Sequence, residues 1–480
     1  MLEASARSRA LHRPGPPVVE SLDPLLRAWL PRQRWFAGKG RPITGFRQVA
    51  ATELLPHTTA PGLLHLLVEV EPEPADCYQL LLGVTPAAAP TLPPHLAHAV
   101  IGRVDTGPLA GLTVYEALLD PRLTGLLLER LRTPGSIGTL RFGRDLRSEI
   151  PDGPDADTAP RTLGAEQSNS SIVYGDSLIL KFLRRVQPGI NPDLELPLAL
   201  AREGCARVPA PTAWFTHEAG DTGPDDSYTL GVLQPFLHGA EDGWELALDT
   251  LAADGDFLAE AHALGRATAE VHTALAAAMP VVTLGRAQLE QLAEGMTERL
   301  ESTAAAVPAL QPYTDALRGA FEDVGRLGAD GTTAVAQRVH GDLHLGQCLR
   351  TGPGLWSIID FEGEPARPIA ERRLPQPAVR DVAGMLRSFD YAARSHTPWA
   401  PDWAARCRRA YCEGYAESSG DDPRDQQVLL RAYETDKAVY EVLYEARHRP
   451  DWLTVPMAAI RRLAAAAETK ETAPSRRPTP

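Results

Sequence analysis

The sequence predicts an α+β chain in three parts: an N-terminal cap, a small mixed lobe and a large helical lobe. Three observations carry this. Short β-type runs such as residues 63–70 and 78–84 alternate with Pro-rich connectors in the first third of the chain. Two further β-rich runs flank Gly175-Asp176, a dipeptide suited to a two-residue hairpin turn. Beyond Ala240, Ala/Leu/Glu-rich stretches around 256–278, 287–304, 401–418 and 424–448 have helical character. At roughly 150 residues per domain, 480 residues correspond to about three domains, ample for a sizeable core.

Taken in order, residues 1–20 read as a loose leader because Pro and Arg interrupt any period. A helix is expected over Leu22–Leu30, with Asp23 as N-cap, Pro24 at its first position and Leu25, Leu26 and Trp29 on one face. The cap is assigned to 21–150. It is closed by the Pro- and Asp-rich run Ser148–Pro160, which has too little apolar content to pack. The small lobe then spans 161–240, the helical lobe 241–470 and a frayed tail 471–480. Asn191 and Pro192 mark the start of one further helix in the small lobe.

Composition excludes several function classes. Apolar residues at 44% and charged residues at 23% are globular values, far from those of a disordered chain. A net charge of −14, from 48 basic and 62 acidic residues, repels polyanions, so neither nucleic acid nor an anionic membrane is an expected partner. No apolar run reaches membrane-spanning length and the first thirty residues lack a signal-peptide core, which gives a cytoplasmic expectation. The 5 cysteines are odd in number and scattered, unlike a disulfide framework or a zinc site.

The strongest chemical signal is Val339-His-Gly-Asp-Leu-His-Leu-Gly-Gln-Cys-Leu, followed by Leu355-Trp-Ser-Ile-Ile-Asp-Phe-Glu-Gly. A carboxylate in a His/Gly-rich loop, an amide five residues on and a second carboxylate after an apolar strand are the parts that metal-assisted phosphoryl transfer needs. Asp342 would receive or orient the acceptor hydroxyl's proton, and Gln347 and Asp360 would hold magnesium through oxygen. A fixed cation for the phosphates is expected upstream, and Lys181 ends the apolar run Leu178-Ile-Leu, with Glu195 fourteen residues later as its counterion. Asp381 either buttresses the Asp342 loop or caps the helix it opens.

These residues make the chain resemble the aminoglycoside-phosphotransferase branch of the protein-kinase-like superfamily, and within it the actinobacterial maltokinases. Further motifs carry that resemblance: Gln167-Ser-Asn-Ser-Ser, Asn191-Pro-Asp-Leu-Glu-Leu, the opening Leu30-Pro-Arg-Gln-Arg-Trp-Phe-Ala-Gly-Lys-Gly, and the Tyr-rich helix that runs into Arg449-Pro-Asp-Trp-Leu. Gln347 stands where the branch usually has Asn. The resemblance implies a bilobal kinase-like fold with an N-terminal cap, ATP and Mg2+ as cofactors, and transfer of phosphate to maltose to give maltose 1-phosphate for α-glucan synthesis. It also implies a monomer and a functional link to trehalose synthase. Glucosamine kinase activity is the alternative on the same scaffold, and a pseudokinase-type binding subunit is the non-enzyme alternative.

On this resemblance, Gln167, Ser168, Asn169, Ser170 and Ser171 form the phosphate loop, and Gln234, Phe236 and Leu237 present backbone to adenine. The sugar site draws on His344, Glu362, Tyr433, Asp436, Lys437, Tyr440, Glu441 and Tyr444. Tyr433, Lys437, Tyr440, Glu441 and Tyr444 fall on one helical stripe, where rings could face a pyranose and charged groups its hydroxyls. A half-buried amphipathic helix explains the same spacing. Trp35 and Phe36 could equally be core residues behind a rim of cations.

Overall fold

The computed structural model describes residues 17–471 apart from 59, 73–75, 87–91, 149, 151–159, 164–167, 219–226 and 365–366. Residues 1–16 of the expected leader, 472–480 of the expected tail, most of the 148–160 linker and Gln167 therefore lie outside the described residues, whereas Val18–Glu20, expected in the leader, are helical. The chain divides into two compact units, one of residues 1–194 with 211–238 and the other of 195–210 with 239–480.

The first unit begins with helix Val18–Trp29. It starts earlier than its sequence signals suggest, and Pro24 sits inside it. Asp23 caps nothing there and instead pairs with Arg27, one turn on, at 2.6 Å. Burial of Val19, Leu22, Leu26 and Trp29 against the sheet below compensates for the hydrogen bond that Pro24 cannot donate. That sheet is antiparallel, with strands Gly45–Leu55, Gly62–Glu71, Asp76–Pro86, Leu112–Glu116 and Val100–Arg103 in that order across it.

A second, seven-stranded sheet follows. Its central strands are Ala213–His217, Tyr228–Pro235, Leu178–Phe182 and Ser170–Tyr174. The hairpin before Lys181 is one residue longer than expected: Gly175, Asp176 and Ser177 separate the paired Tyr174 and Leu178, with Gly175 left-handed at φ 59°. Strands Gly135–Ile137 and Leu140–Arg144 fall in the stretch that composition assigns to the cap, yet Leu140–Arg144 pairs with Ala213–His217. The Pro/Asp-rich run marks a loop, which composition can show, and not the place where pairing changes sheets.

The second unit is mostly helical. Its long helices are Leu258–Ala278, Arg286–Ala306, Thr314–Ala329, Val379–Ser395, Pro401–Ser419 and Gln427–His448, and a hairpin of Cys348–Gly352 with Leu355–Ile358 carries the Asp342 loop and Asp360 at its two ends. Gly265 and Gly414 explain why two of the helices lie so close. A Cβ on either would collide with the carbonyl oxygen of Tyr411 or His262 on the opposite helix. That close crossing sets His272 and Tyr415 side by side, 2.9 Å apart.

Candidate active site

The Asp342 loop is fixed from below by one buried carboxylate. Asp381, 1% exposed near the start of helix Val379–Ser395, accepts the amides of His340 at 2.7 Å and Gly341 at 2.8 Å. It also accepts His272 Nε2–H at 3.0 Å, and the Tyr415 hydroxyl donates to His272 Nδ1. Burial opposes ionisation of Asp381, but the bonds from His272 and Gly341 outweigh it and hold the carboxyl below its usual range. Asp381 is thus the buttress of the loop. His340 donates through Nε2 to the Ile359 carbonyl at 2.9 Å, which ties the loop to the strand leading into Asp360. Gly384 belongs to the same support, since any side chain there would strike the Leu343 carbonyl.

Asp342 itself accepts Lys437 Nζ at 2.6 Å, and both side chains are mostly buried. Burial works against the Lys437 charge, yet Asp342 and Glu364 overcome it and raise its pKa above the ordinary lysine value. Glu364 takes Arg367 at 2.6 Å and faces Arg380 at 3.5 Å. Its burial is outweighed by Arg380, Lys437 and Arg367, which depress its pKa to about 2. A cavity of about 20 Å³ adjoins Asp342, Glu364, Lys437 and Tyr433. A larger one of about 660 Å³ shares His272 and Tyr415 with the Asp381 relay but does not reach Asp342.

Asp360 sits in the left-handed region at φ 64°, a conformation that costs a non-glycine residue about 1 kcal/mol or more and that Asp tolerates better than most. Gln347 Nε2 lies 2.9 Å from Asp360 Oδ2. Turning the Gln347 amide over would present oxygen donors from both side chains to one hard cation, so this pair fits magnesium.

In the first unit, Lys181 pairs with Asp193 at 2.9 Å. The expected partner, Glu195, is instead held by Arg338 at 2.7 Å and Arg373 at 2.9 Å. Two residues along a helix are about 200° of rotation, so Asp193 and Glu195 face opposite ways and only one can meet the lysine strand. Asn191 caps that helix as expected, accepting the Asp193 amide at 2.9 Å.

Comparison with known proteins bears on these arrangements. The maltokinase N-terminal cap domain model matches residues 29–120. A glucosamine kinase of Streptacidiphilus jiangxiensis is 31% identical over 327 residues, covering 62% of this chain and 72% of its own. A glucosamine kinase of Mycolicibacterium smegmatis is 32% identical over 323 residues, covering 62% and 78%. The chain belongs to this family of sugar and aminosugar kinases. A solved glucosamine kinase in complex with glucosamine, ADP and inorganic phosphate shares the kinase's fold, with a TM-score of 0.66 and 24% identity over 89% of this chain and 97% of that one.

The kinase's remaining sequence-predicted residues divide by what they touch. Ser168 is exposed, whereas Asn169 Oδ1 accepts the Arg184 amide at 3.3 Å, Ser170 Oγ accepts Arg184 Nε at 2.8 Å and Ser171 is buried in its strand. The Phe236 amide donates to the Ser177 carbonyl at 2.8 Å, so it is not a spare donor for adenine; Gln234 is paired with Ile179 within strand Tyr228–Pro235, and Leu237 lies two residues past its end, half-buried. His344 Nδ1 accepts the Gly346 amide at 3.1 Å and so caps its own turn. Glu362 receives Arg372 through its carbonyl at 3.0 Å.

Along helix Gln427–His448 the expected sugar stripe breaks up. Tyr433 is buried and donates to Gln376 at 3.1 Å, Asp436 is gripped by both ends of the Arg299 fork at 2.9 and 2.8 Å, and Glu441 is buried against Arg387. Buried carboxylates must be paired, and these are paired within the protein, which removes Asp436 and Glu441 as open hydroxyl acceptors. Tyr440 and Tyr444 stack at 6.2 Å with Lys437 over the Tyr440 ring at 4.9 Å, and of these three Tyr444 is exposed and Tyr440 half-buried.

Sequence reasoning missed Asp193, Glu364, His272 and Arg184. Asp193 lies inside a quoted motif and Glu364 directly follows one, each two residues from a favoured acid, so helix and loop phase was the usable signal. His272 and Arg184 carry no local signal, because each is defined by partners distant along the chain.

Proposed function

We propose that this kinase transfers the γ-phosphoryl group of ATP to the anomeric hydroxyl of maltose, giving ADP and maltose 1-phosphate. The observation that carries the reading is the state of Asp342: one carboxylate oxygen takes Lys437, and the other accepts no hydrogen bond among the described residues. That oxygen is placed to receive the acceptor's proton as the acceptor oxygen bonds to the γ-phosphorus and the bond from phosphorus to the bridging oxygen breaks toward ADP. Lys437 holds Asp342 in one orientation. Lys181, steadied by Asp193, takes the α and β phosphates, and Ser168 with the backbone of the bend at Ser168 and Asn169 caps phosphate oxygens. Gln347 and Asp360 would hold magnesium, which when bound neutralises phosphate charge.

Charge balance supports a neutral acceptor. Beside Asp342, Glu364 is matched by Arg367 and Arg380, Asp436 by Arg299 and Asp342 by Lys437. An ammonium entering this wall would have to displace a cation already in place, whereas a neutral sugar asks only for hydrogen bonds and the stacked faces of Tyr440 and Tyr444. The match of the cap to the maltokinase family model points the same way. The second reading, glucosamine as acceptor, is favoured by the names of the relatives at 31% and 32% identity. ADP release measured separately with maltose, glucosamine, glucose and an aminoglycoside tests both. Maltose should give the highest kcat/KM, and activity confined to the aminoglycoside would overturn the sugar reading altogether.

A further inference from the structure

The cavity of about 660 Å³ in the second unit takes no part in the proposed chemistry, yet it has the size of a small-molecule site. It lies beside the last turns of helices Leu258–Ala278 and Pro401–Ser419, and its apolar wall includes Ala276, Leu289, Leu327, Val379 and Leu429. Gly420, left-handed at φ 81°, ends the second of these helices and turns the chain into the short segment Pro423–Asp425. Asp421 and Asp425, both exposed, thereby join the lining.

The polar part of that lining is rich in acceptors. Gln337 is 9% exposed; its Nε2 donates to the His272 carbonyl at 2.7 Å, whereas its Oε1 accepts no hydrogen bond among the described residues. A buried amide oxygen without a donor is costly, and a molecule in the cavity can supply one. The Asp421 and Asp425 carboxylates likewise meet no cation among the described residues, and Arg424 between them is spent on Asp422 at 2.6 Å. No Lys or Arg is among the described residues that line the cavity, so an anion finds nothing there to hold it.

Tyr415 adds a further acceptor. Its hydroxyl donates to His272 Nδ1 and its oxygen keeps a lone pair. His272 donates in turn to Asp381, which gathers the His340 and Gly341 amides beneath Asp342. A donor placed on the Tyr415 oxygen polarises its O–H toward His272, and the effect passes along this chain to Asp381.

We propose that the cavity is a regulatory site for a primary amine with an apolar body. The ammonium donates to acceptors drawn from Gln337, Tyr415 and Asp421, and the body covers Ala276, Leu289 and Leu327. Asp342, Glu364 and Lys437 do not line this cavity, so the site is separate from that of phosphoryl transfer.

Calorimetric titration of the full chain with hexylamine, 1-hexanol and hexanoate, all of one carbon length, tests the site. Hexylamine should bind, hexanol at least tenfold more weakly and hexanoate not at all, because only the ammonium matches the acceptors. Ala276→Phe, which fills the cavity, should abolish hexylamine binding and leave basal turnover within twofold. Asp421→Asn should weaken binding about 3- to 10-fold, and, lying on an exposed residue, it still decides the matter should Ala276→Phe not fold. In ADP-release assays with the preferred acceptor of the sugar panel, saturating hexylamine should change kcat at least twofold and leave acceptor KM within twofold, and Ala276→Phe should erase that response. Equal binding of the three probes, or undiminished hexylamine binding in both variants, would overturn the proposal. So would binding that leaves kcat unchanged, or a rise in acceptor KM alone, which puts the amine beside Asp342. The kinetic arm rests on the proposed role of Asp342: a parent without phosphoryl transfer would sink that role, while calorimetry decides the site by itself.

Discussion

The two compact units hold their polar side chains in different ways. In the first, the seam beneath Ser168–Ser170 is built from amides and one arginine: Gln79 donates to two carbonyls, His65 Nε2 donates to Gln79 Oε1 at 3.1 Å, and Arg184 spans the gap. In the second, carboxylates organise the site, with Asp381 under the Asp342 loop, Glu364 among arginines and Asp390 amid Arg387, Arg408 and Arg462. The difference follows from what each must hold. Strand register is set by backbone pairing and leaves side chains only gaps to satisfy, whereas an irregular loop ending at a left-handed Asp360 needs charge-assisted bonds to remain in one conformation.

The largest expected effect strikes the carboxylate unit. Asp342→Asn should lower kcat by roughly 10³, the range for loss of a general base, while affinity for magnesium–ADP stays within twofold. Steady-state rates beside calorimetry check this, and turnover within a few-fold of the parent would show that Asp342 is not the base. Next, Asp381→Asn keeps the shape but lowers the charge that gathers two amides and His272, so kcat should fall about 10² with acceptor KM little changed. Equal changes in kcat and KM would mean that Asp381 serves binding and not loop geometry.

Acid should separate the two units. Burial lowers the His65 pKa to about 4, so the folded first unit resists a proton that the unfolded chain accepts near 6.5. Its stability contribution is complete above pH 6.5 and is lost as pH falls toward 4, by about 2 kcal/mol between pH 7 and 5. Glu364, with its pKa depressed to about 2, contributes stability that is complete above its unfolded value near 4.5 and is lost only as pH falls toward 2. Hydrogen exchange at pH 7 and 5 should show protection falling first in strands Gly62–Glu71 and Asp76–Pro86. Earlier loss in helix Gln427–His448 would reverse the comparison. A smaller effect is expected of Lys437→Met, which frees Asp342 and Glu364 of a cation and should shift the kcat/KM ratio of glucosamine over maltose upward by about tenfold, even as both rates drop.

Much of this molecule was legible in the sequence. The long helices announce themselves by period, and HGD and IDFE bring Asp342, Gln347 and Asp360 to the ends of one hairpin because a tight strand pair leaves the chain nowhere else to go. Partner choice was less legible. Lys181 could have met either acid of Asp193-Leu-Glu195, and only the rotation of the helix decides between them. The Tyr-rich helix misled in the opposite sense: spacing placed Glu441 and Tyr433 on an open wall, but Arg387 and Gln376, remote in sequence, bury both. Arg184 was invisible for the same reason, since its meaning comes from Trp35, Glu116 and Ser170 together.

The central claim is that a chain whose acceptor wall has its acids already matched phosphorylates a neutral sugar. Competition tests it most directly: equimolar maltose and glucosamine with limiting ATP and magnesium, the products resolved by phosphorus NMR. The account predicts that maltose 1-phosphate takes at least nine-tenths of the transferred phosphate, as a discrimination of about 1.4 kcal/mol or more requires. A glucosamine phosphate as the main product would contradict it.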